Sequence, residues 1–429
     1  MLNRRTRSPL REAAGWWMRV CAVLCVFASG TVSAGDAAPP ASWPNWLGPN
    51  WDGVSSEGGW STDWPAAGLP TIWTREVGIG FSAVTIADGR LYTMGHENGR
   101  ETVWCLDVST GETIWQHSYP GELVDNLHEG GPGATPTLHK DRLYTLGRAG
   151  QLHCYQAATG DLHWQRSLQS DLGVKLPEWG FTSSPRILGG KLLIEAGRLA
   201  AYDPQTGEPI WRTEPHLAGY GSVAPMDWNG QSLVTALDCE GLRVVELETG
   251  KPVAFAAWRS PFRTNSTTPI VVDDTIFIST GYGVGSALFK LEAGNLRQVY
   301  AQRDMKNHFN NSILHDSFLY GLDGNSNLGR IVQLTCIEHA TGEVRWQQTG
   351  FGCGSLMIAD GKLVILSEKG ELVIAAASPE QLQILCRAQV LTGRCWTVPV
   401  LFAGRVFARN AQGRLVCVEL PRAAGPATN

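Results

Sequence analysis

The sequence predicts an all-β fold, an eight-bladed β-propeller of four-stranded blades, and three observations carry that prediction. The first is a Thr-Gly pair followed four residues after the Gly by Trp. It recurs at Thr110-Gly111 with Trp115, Thr159-Gly160 with Trp164, Thr206-Gly207 with Trp211 and Thr341-Gly342 with Trp346; Thr249-Gly250 repeats it with Ala254 in the Trp slot. The second is a small polar residue, often a Pro, a turn and a short apolar run upstream of each ending, as in ATPTLHKDRLYTLG from Ala134 and SSPRILGGKLLIEAG from Ser183. A period of roughly 40–50 residues with several short strands per unit is that of propeller blades. The third is the excess of 17 Trp and 49 Gly, which supply rigid burial between blades and tight turns.

In chain order, residues 1–34 read as an export signal. Arg4, Arg5, Arg7, Arg11 and Arg19 form a basic region, Val20–Ala28 an apolar core and Val32-Ser33-Ala34 a small-residue cleavage site. The apolar run is too short to span a bilayer, and Leu24 directly before Cys25 makes a poor lipoprotein box. Residues 35–68 form a lead-in rich in Pro, Gly and Trp. Its Trp43, Trp46, Trp51, Trp60 and Trp64 are expected to pack across the propeller; an aromatic ligand platform is the alternative.

The propeller itself is assigned to residues 69–421. Leu69–Val77 carries Trp73 where a blade's last strand holds its Trp. Seven fuller units begin near Phe81, Ala134, Thr182, Ser222, Ser266, Asn310 and Gly354, and an eighth at Trp396 stops after three strands. One strand from the N-terminal side would complete that blade and close the ring, which removes exposed sheet edges. Seven blades is the alternative if Leu372–Val390 is not a blade end. Residues 422–429 are expected to be a disordered tail.

Within a unit, Asp88-Gly89, Gly189-Gly190 and Asp360-Gly361 suit tight hairpins ahead of β-prone pairs such as Leu91-Tyr92. Trp73, Trp115, Trp164, Trp211 and Trp346 are expected to dock each outer strand on the neighbouring blade. Cys105, Cys154 and Cys336 share one repeat slot, five residues before the Thr. That marks them as small buried core residues, because equivalent strands of different blades lie too far apart for a disulfide.

Composition excludes several functions. The net charge is −5 and the basic residues cluster only at the N-terminus, so a nucleic-acid partner is not expected. No later segment is long and apolar enough to cross a membrane. No phosphate loop, nucleophile elbow, His-Glu-x-x-His or Cys-x-x-Cys motif occurs. The innermost strands should open on a central mouth lined by hydroxyls and amides. Ligand-binding candidates there are Lys306, His308, Asn310 and Asn311, with Arg263 and Trp179; Glu178, His128 and Glu129 lie in connections expected on the same face. No catalytic residue and no metal ligand is assigned.

The pattern small-x-Pro, turn, Leu-Tyr, strand, Asp-x-x-Thr-Gly-x-x-x-Trp resembles the PQQ-type propeller repeat. That repeat occurs in quinoprotein dehydrogenases and in the propeller lipoprotein of the outer-membrane β-barrel assembly machinery. The opening WPNWLGPNWDGV from Trp43, STGYGVG from Ser279 and Met305-Lys-Asn-His308 also look like exported PQQ-like propellers of planctomycete type. For a dehydrogenase the resemblance implies a central quinone, a Trp beneath it, adjacent cysteines in a disulfide, carboxylates holding Ca²⁺ and an Asp base. The sequence has no adjacent Cys pair, and carboxylates are nearly absent from the expected mouth.

The reading that follows is an exported, non-catalytic propeller of the periplasm or cell envelope. It needs no cofactor, acts as a monomer and binds a protein, peptide or glycan. The alternative is a PQQ- and calcium-dependent alcohol or sugar oxidoreductase.

Overall fold

The computed structural model describes residues 42–423. The expected signal peptide, with Cys21 and Cys25, and residues 424–429 of the expected tail lie outside the described residues. The propeller has eight sheets in chain order, each built on a four-stranded antiparallel blade. The eighth, Val400–Phe402, Arg405–Arg409 and Arg414–Glu419, takes its outer strand from the N-terminal side: Thr71–Glu76 pairs with it, Trp73 facing Cys417. Glu371–Ala376 and Ile384–Gln389 are the third and outer strands of blade 7, so the count is eight.

The apolar pattern sets the depth of each strand. Second strands such as Lys191–Glu195 are buried along their whole length and read as continuous apolar runs. Outer strands such as Leu162–Ser167 alternate toward solvent. The register places the cysteine slot opposite the tryptophan slot: Cys105 faces Trp115, Cys154 faces Trp164 and Cys336 faces Trp346. These cysteines are buried and unpaired, as are five others among the described residues except that Cys386 is only partly covered.

Each junction between blades is tied near the axis by a polar residue at the start of an innermost strand. Ala83 N donates to Thr135 Oγ1 (3.1 Å), Thr135 N to Ser184 Oγ (2.9 Å), Ser184 N to Ser222 Oγ (2.9 Å) and Ser222 N to Thr268 Oγ1 (3.0 Å). The ring continues as Thr268 N donates to Asn311 Oδ1 (2.9 Å) and Asn310 Nδ2 to Gly354 O (2.7 Å). Ser355 Oγ donates to Thr397 O (2.8 Å), and Thr397 Oγ1 returns to Phe81 O (3.4 Å), which closes it.

A second set of bonds ties the rim. Trp73, Trp115, Trp164, Trp211 and Trp346 each donate the indole N–H to a carbonyl of the next blade, over 2.9–3.2 Å. The ring of Trp115 lies on Gly160 of the following Thr-Gly turn. That glycine has φ +79°, and a Cβ there would meet Trp115 at 2.6 Å, so the repeat needs Gly for both conformation and space. Where Ala254 replaces the Trp, Trp228 from the innermost strand of the same blade donates to Leu291 O instead (3.1 Å). Tyr300 does so for the next blade, its hydroxyl donating to His339 O (2.9 Å).

The lead-in closes the opposite end of the axis. Ser42–Trp43 pairs with the end of the innermost strand of blade 1, and Val54–Ser55 with that of blade 7. Between them Pro44 O accepts from Leu138 N (2.7 Å), and Trp51 packs on the Arg186 guanidinium at 4.0 Å. Leu47 joins the core around Ile313 and Ile358. Trp43 and Trp60 are buried, while Trp46, Trp51 and Trp64 are partly covered. The chain leaves along the junction of blades 7 and 8, where Cys386 stands in the Trp slot. An open groove of about 610 Å³ runs there between residues 62–68 and Leu385–Gln389.

Blades 3 and 4 share a buried charge network. His216 Nε2 donates to Glu195 Oε2 (2.8 Å) and lies 3.8 Å from Asp238 Oδ2, which accepts from Arg243 Nε (2.8 Å). Burial disfavours the imidazolium, but the charge and hydrogen bond of Glu195 and the charge of Asp238 outweigh it, so His216 titrates above its ordinary range. Burial likewise opposes the Glu195 carboxylate, and His216 with two backbone N–H donors brings it below the usual range. Asp238 is pushed up by burial and by Glu195.

Two outcomes are expected. Trp115→Ala removes a rim bond and a buried ring and should lower stability by about 3–5 kcal/mol, read by denaturant melts. The pH profile of the melting temperature should fall on both sides of a window. The His216 contribution is complete below pH 6.5 and is lost as pH rises through its raised value; the Glu195 contribution is present above pH 4.5 and is lost as pH falls through its lowered value. Asp238, shifted up, loses stability as pH rises through its own range and regains it as pH falls, so it offsets part of the Glu195 loss on the acid side. His216→Gln should flatten the fall on the alkaline side.

Candidate functional site

The innermost strands all begin on one face, and that face carries the long connections between blades, including residues 121–136, 168–185, 258–269 and 303–312. Aromatic side chains from several of them form a continuous line around the mouth. Trp179 lies 5.2 Å from His128, which meets the edge of Phe81 at 5.4 Å. Phe81 stacks on Trp396 (5.4 Å), and Trp396 meets Phe309 at 4.4 Å. Phe309 contacts His308 (4.9 Å), His308 contacts Tyr282 (4.9 Å), and Tyr282 contacts Phe262 (4.7 Å).

Polar groups fix this line. Trp396 donates its indole N–H to Glu368 Oε1 (2.9 Å) and carries the Arg394 guanidinium on its face at 4.5 Å. Arg394 pairs with Glu129 (2.7 Å), whose other oxygen accepts from Gln412 Nε2 (2.9 Å). Arg148 holds the next connection by donating to Glu178 O (3.0 Å). His128 Nδ1 accepts from Gly130 N (3.0 Å), and His308 Nδ1 from Ser326 N (3.3 Å). Burial pushes both imidazoles down; His308 falls to about 4, with the nearby His128 as a second cause, so both are neutral at physiological pH.

The backbone is held in unusual conformations on the same face. Leu127, Arg263, Tyr282 and Met305 have φ of 68°, 54°, 56° and 55°. Side chains with a Cβ adopt that region at a cost, and it persists where the surroundings impose it. Large apolar side chains stand in the solvent beside them: Leu127 is 82% exposed, Phe262 62%, Ile331 57%, Leu217 41% and Leu176 38%.

The residues singled out in the sequence divide into two groups. Trp179, His128 and His308 are in the aromatic line, and Arg263 follows Phe262 at an exposed tip. Glu129 and Glu178 border it. Asn310 and Asn311 are buried, and their amides are spent on the ring of junction bonds, Asn311 also donating to Thr268 O (2.8 Å). Lys306 is tied to Asp323 (2.7 Å) and to Arg303 O (2.8 Å).

Sequence reasoning marked Phe81 and Trp396 only as the starts of units and left Phe309, Tyr282 and Phe262 unassigned. A signal was present. An aromatic residue directly precedes the polar residue at the start of blades 1, 3, 6 and 8, as Phe81-Ser82, Phe181-Thr182, Phe309-Asn310 and Trp396-Thr397, of which Phe181 turns into the core.

A quinone held with calcium needs an open mouth and several free oxygen ligands. Here Phe81, Trp396 and Phe309 stack across the mouth, the strand-start hydroxyls are engaged between blades, and Glu129 and Glu368 already have partners. Among the described residues no three His, Cys, Asp or Glu side chains are placed to hold a metal ion. These residues do not fit that pair.

Known proteins bear on the fold. BamB from Moraxella catarrhalis superposes with a TM-score of 0.60 at 16% identity, over 82% of this chain and 100% of its own. The quinohemoprotein alcohol dehydrogenase of Comamonas testosteroni gives 0.66 at 13% identity, over 92% and 83%. A europium-containing methanol dehydrogenase gives 0.64 at 11%, over 89% and 98%. At these identities the likeness is one of fold. No curated protein matches the chain significantly. A family model described as outer membrane protein assembly factor BamB matches residues 99–348, more than half of the chain. With the repeat, the eight blades and this match in agreement, the chain belongs to that family of PQQ-type repeat propellers.

Proposed function

We propose that the chain is an exported, non-catalytic binding propeller of the periplasm or cell envelope, which takes a protein, peptide or glycan on the face where its innermost strands begin. One observation carries the reading: large apolar side chains stand exposed on that face, from Leu127 through Leu176 and Leu217 to Phe262. Exposed large apolar side chains rimmed by polar residues mark interaction sites. Aromatic rings, with few degrees of freedom to lose and a polar rim of Arg263, Glu178 and Arg394, suit protein, peptide and sugar surfaces alike.

Further support comes from the family, whose description names an assembly factor, a role exercised through protein partners. The basic and apolar pattern of residues 1–34 supports export. Among the described residues no helix is long and apolar enough to cross a membrane. The function is assigned to a single chain acting as a monomer.

The experiment compares the mature chain with a Leu127→Ser/Phe262→Ser double variant for recovery of partners from envelope extract. Both positions are exposed, so the melting temperature should stay unchanged while recovery of the wild-type partner falls. Equal recovery by the two proteins sinks the reading. Calorimetric titration with PQQ and Ca²⁺ should give no saturable heat; micromolar binding would favour the oxidoreductase instead.

A further inference from the structure

The junction of blades 1 and 2 buries polar groups that the fold does not explain. His153 stands just ahead of the slot opposite the docking Trp, at a register where blades 3, 5, 6, 7 and 8 carry Ala200, Ala287, Thr335, Val373 and Val416, and blades 1 and 4 carry Trp104 and Arg243. A small or apolar residue therefore satisfies the blade. His153 is 3% exposed. Its ring is enclosed by Tyr119 at 4.6 Å, Tyr155 at 5.6 Å and His117 at 6.3 Å, and His117 lies 4.9 Å from Tyr155.

His153 Nδ1, Tyr155 Oη and Thr145 Oγ1 are buried there without a hydrogen-bond partner. Thr145 is the cross-strand partner of His153, and Tyr155 follows His153 by two residues on the same face of the sheet. Unpaired groups of this kind are rare in native interiors and point to a missing water or ion. Glu101 does not fill the role: it accepts from the Tyr119 hydroxyl (2.9 Å) and from Arg148 N (3.1 Å).

We propose that this junction binds a borderline divalent transition-metal ion, with His117 and His153 as imidazole ligands and water completing the shell. Imidazole nitrogen suits copper, zinc and nickel. Two imidazoles bound at about 2.0–2.1 Å place their ring centroids roughly 5–6.5 Å apart, depending on the angle at the metal. The observed 6.3 Å lies at the wide end, which matches the nearly trans imidazoles of a tetragonal Cu²⁺ site rather than a tetrahedral one.

His117 is partly exposed on the outer strand Thr113–Pro120, which gives the ion a way in. No third His, Cys, Asp or Glu among the described residues converges on the two histidines. The site is thus one of moderate affinity that staples two blades, not a closed four-ligand structural centre.

The test uses the mature chain, stripped with chelator and titrated with Cu²⁺ and then Zn²⁺ by calorimetry. The expected result is one ion per chain, micromolar or tighter, with a rise in melting temperature and a two-nitrogen signature in the Cu²⁺ paramagnetic resonance spectrum. His117→Phe and His153→Phe should each weaken binding by at least the roughly 10–100-fold that loss of a supporting group costs a metal site. His163→Phe, on an exposed position of the adjacent outer strand, should leave it unchanged. Because His153 is buried and its variant can fail to fold, the partly exposed His117 carries the decision. Absence of stoichiometric binding, or binding that His117→Phe leaves intact, overturns the proposal.

Discussion

The architecture depends on the tie between one blade and the next. A blade is a small twisted sheet with two faces to cover, and it can cover them only with its neighbours. Near the axis the tie is a closed circuit of short polar side chains, from Ala83 and Thr135 round to Thr397 and Phe81. At the rim it is an indole N–H donated across the junction, with the indole ring lying on a glycine of the next turn. Both ties use groups that would be costly if buried unpaired, so a blade in the wrong place leaves donors unsatisfied. The result is a ring in which seven of the eight junctions are specified twice, at two radii.

That requirement explains the departures from the repeat. Seven of the eight junctions carry a rim donor, and it need not be a Trp in a given slot. Trp228 supplies it from the innermost strand when Ala254 cannot, and Tyr300 supplies it with a phenol. At the junction of blades 7 and 8 the lead-in arrives instead, and Trp60 and Trp64 bring apolar surface to the core there. The lead-in also closes one end of the axis. On the opposite face the connections are long, Leu127 and Arg263 hold left-handed backbone, and rings from distant blades meet edge to face. Such features accumulate where binding rather than stability shapes the chain.

The candidate site was only half legible. Trp179, His128 and His308 were visible as unusual residues in connections, and they do gather round the mouth. Asn310 and Asn311 drew attention for the same reason, yet they are the junction bonds of blades 5, 6 and 7 in amide form. A polar residue at a repeat position looks the same in sequence whether it faces a ligand or a neighbouring blade. Lys306 was misleading in another way: its partner Asp323 lies at the end of the next strand pair, a proximity that only the fold creates.

What the sequence determined by itself is everything that repeats. Periodic Thr-Gly turns, Trp slots and buried cysteine slots fix the blade, its register and the number of blades, because each copy reports the same local physics again. Even the closure through Thr71–Glu76 follows from counting strands. What only the tertiary structure decided is everything that occurs once. Phe81, Phe309 and Trp396 are separated by hundreds of residues or lie in different blades, and become a single aromatic stack because the ring brings their strand starts to one mouth. His117 and His153 meet because an outer strand packs on the sheet of the next blade. Contacts across junctions leave no period in the chain, and the physical reason is that they belong to the closure of the ring rather than to any one unit of it.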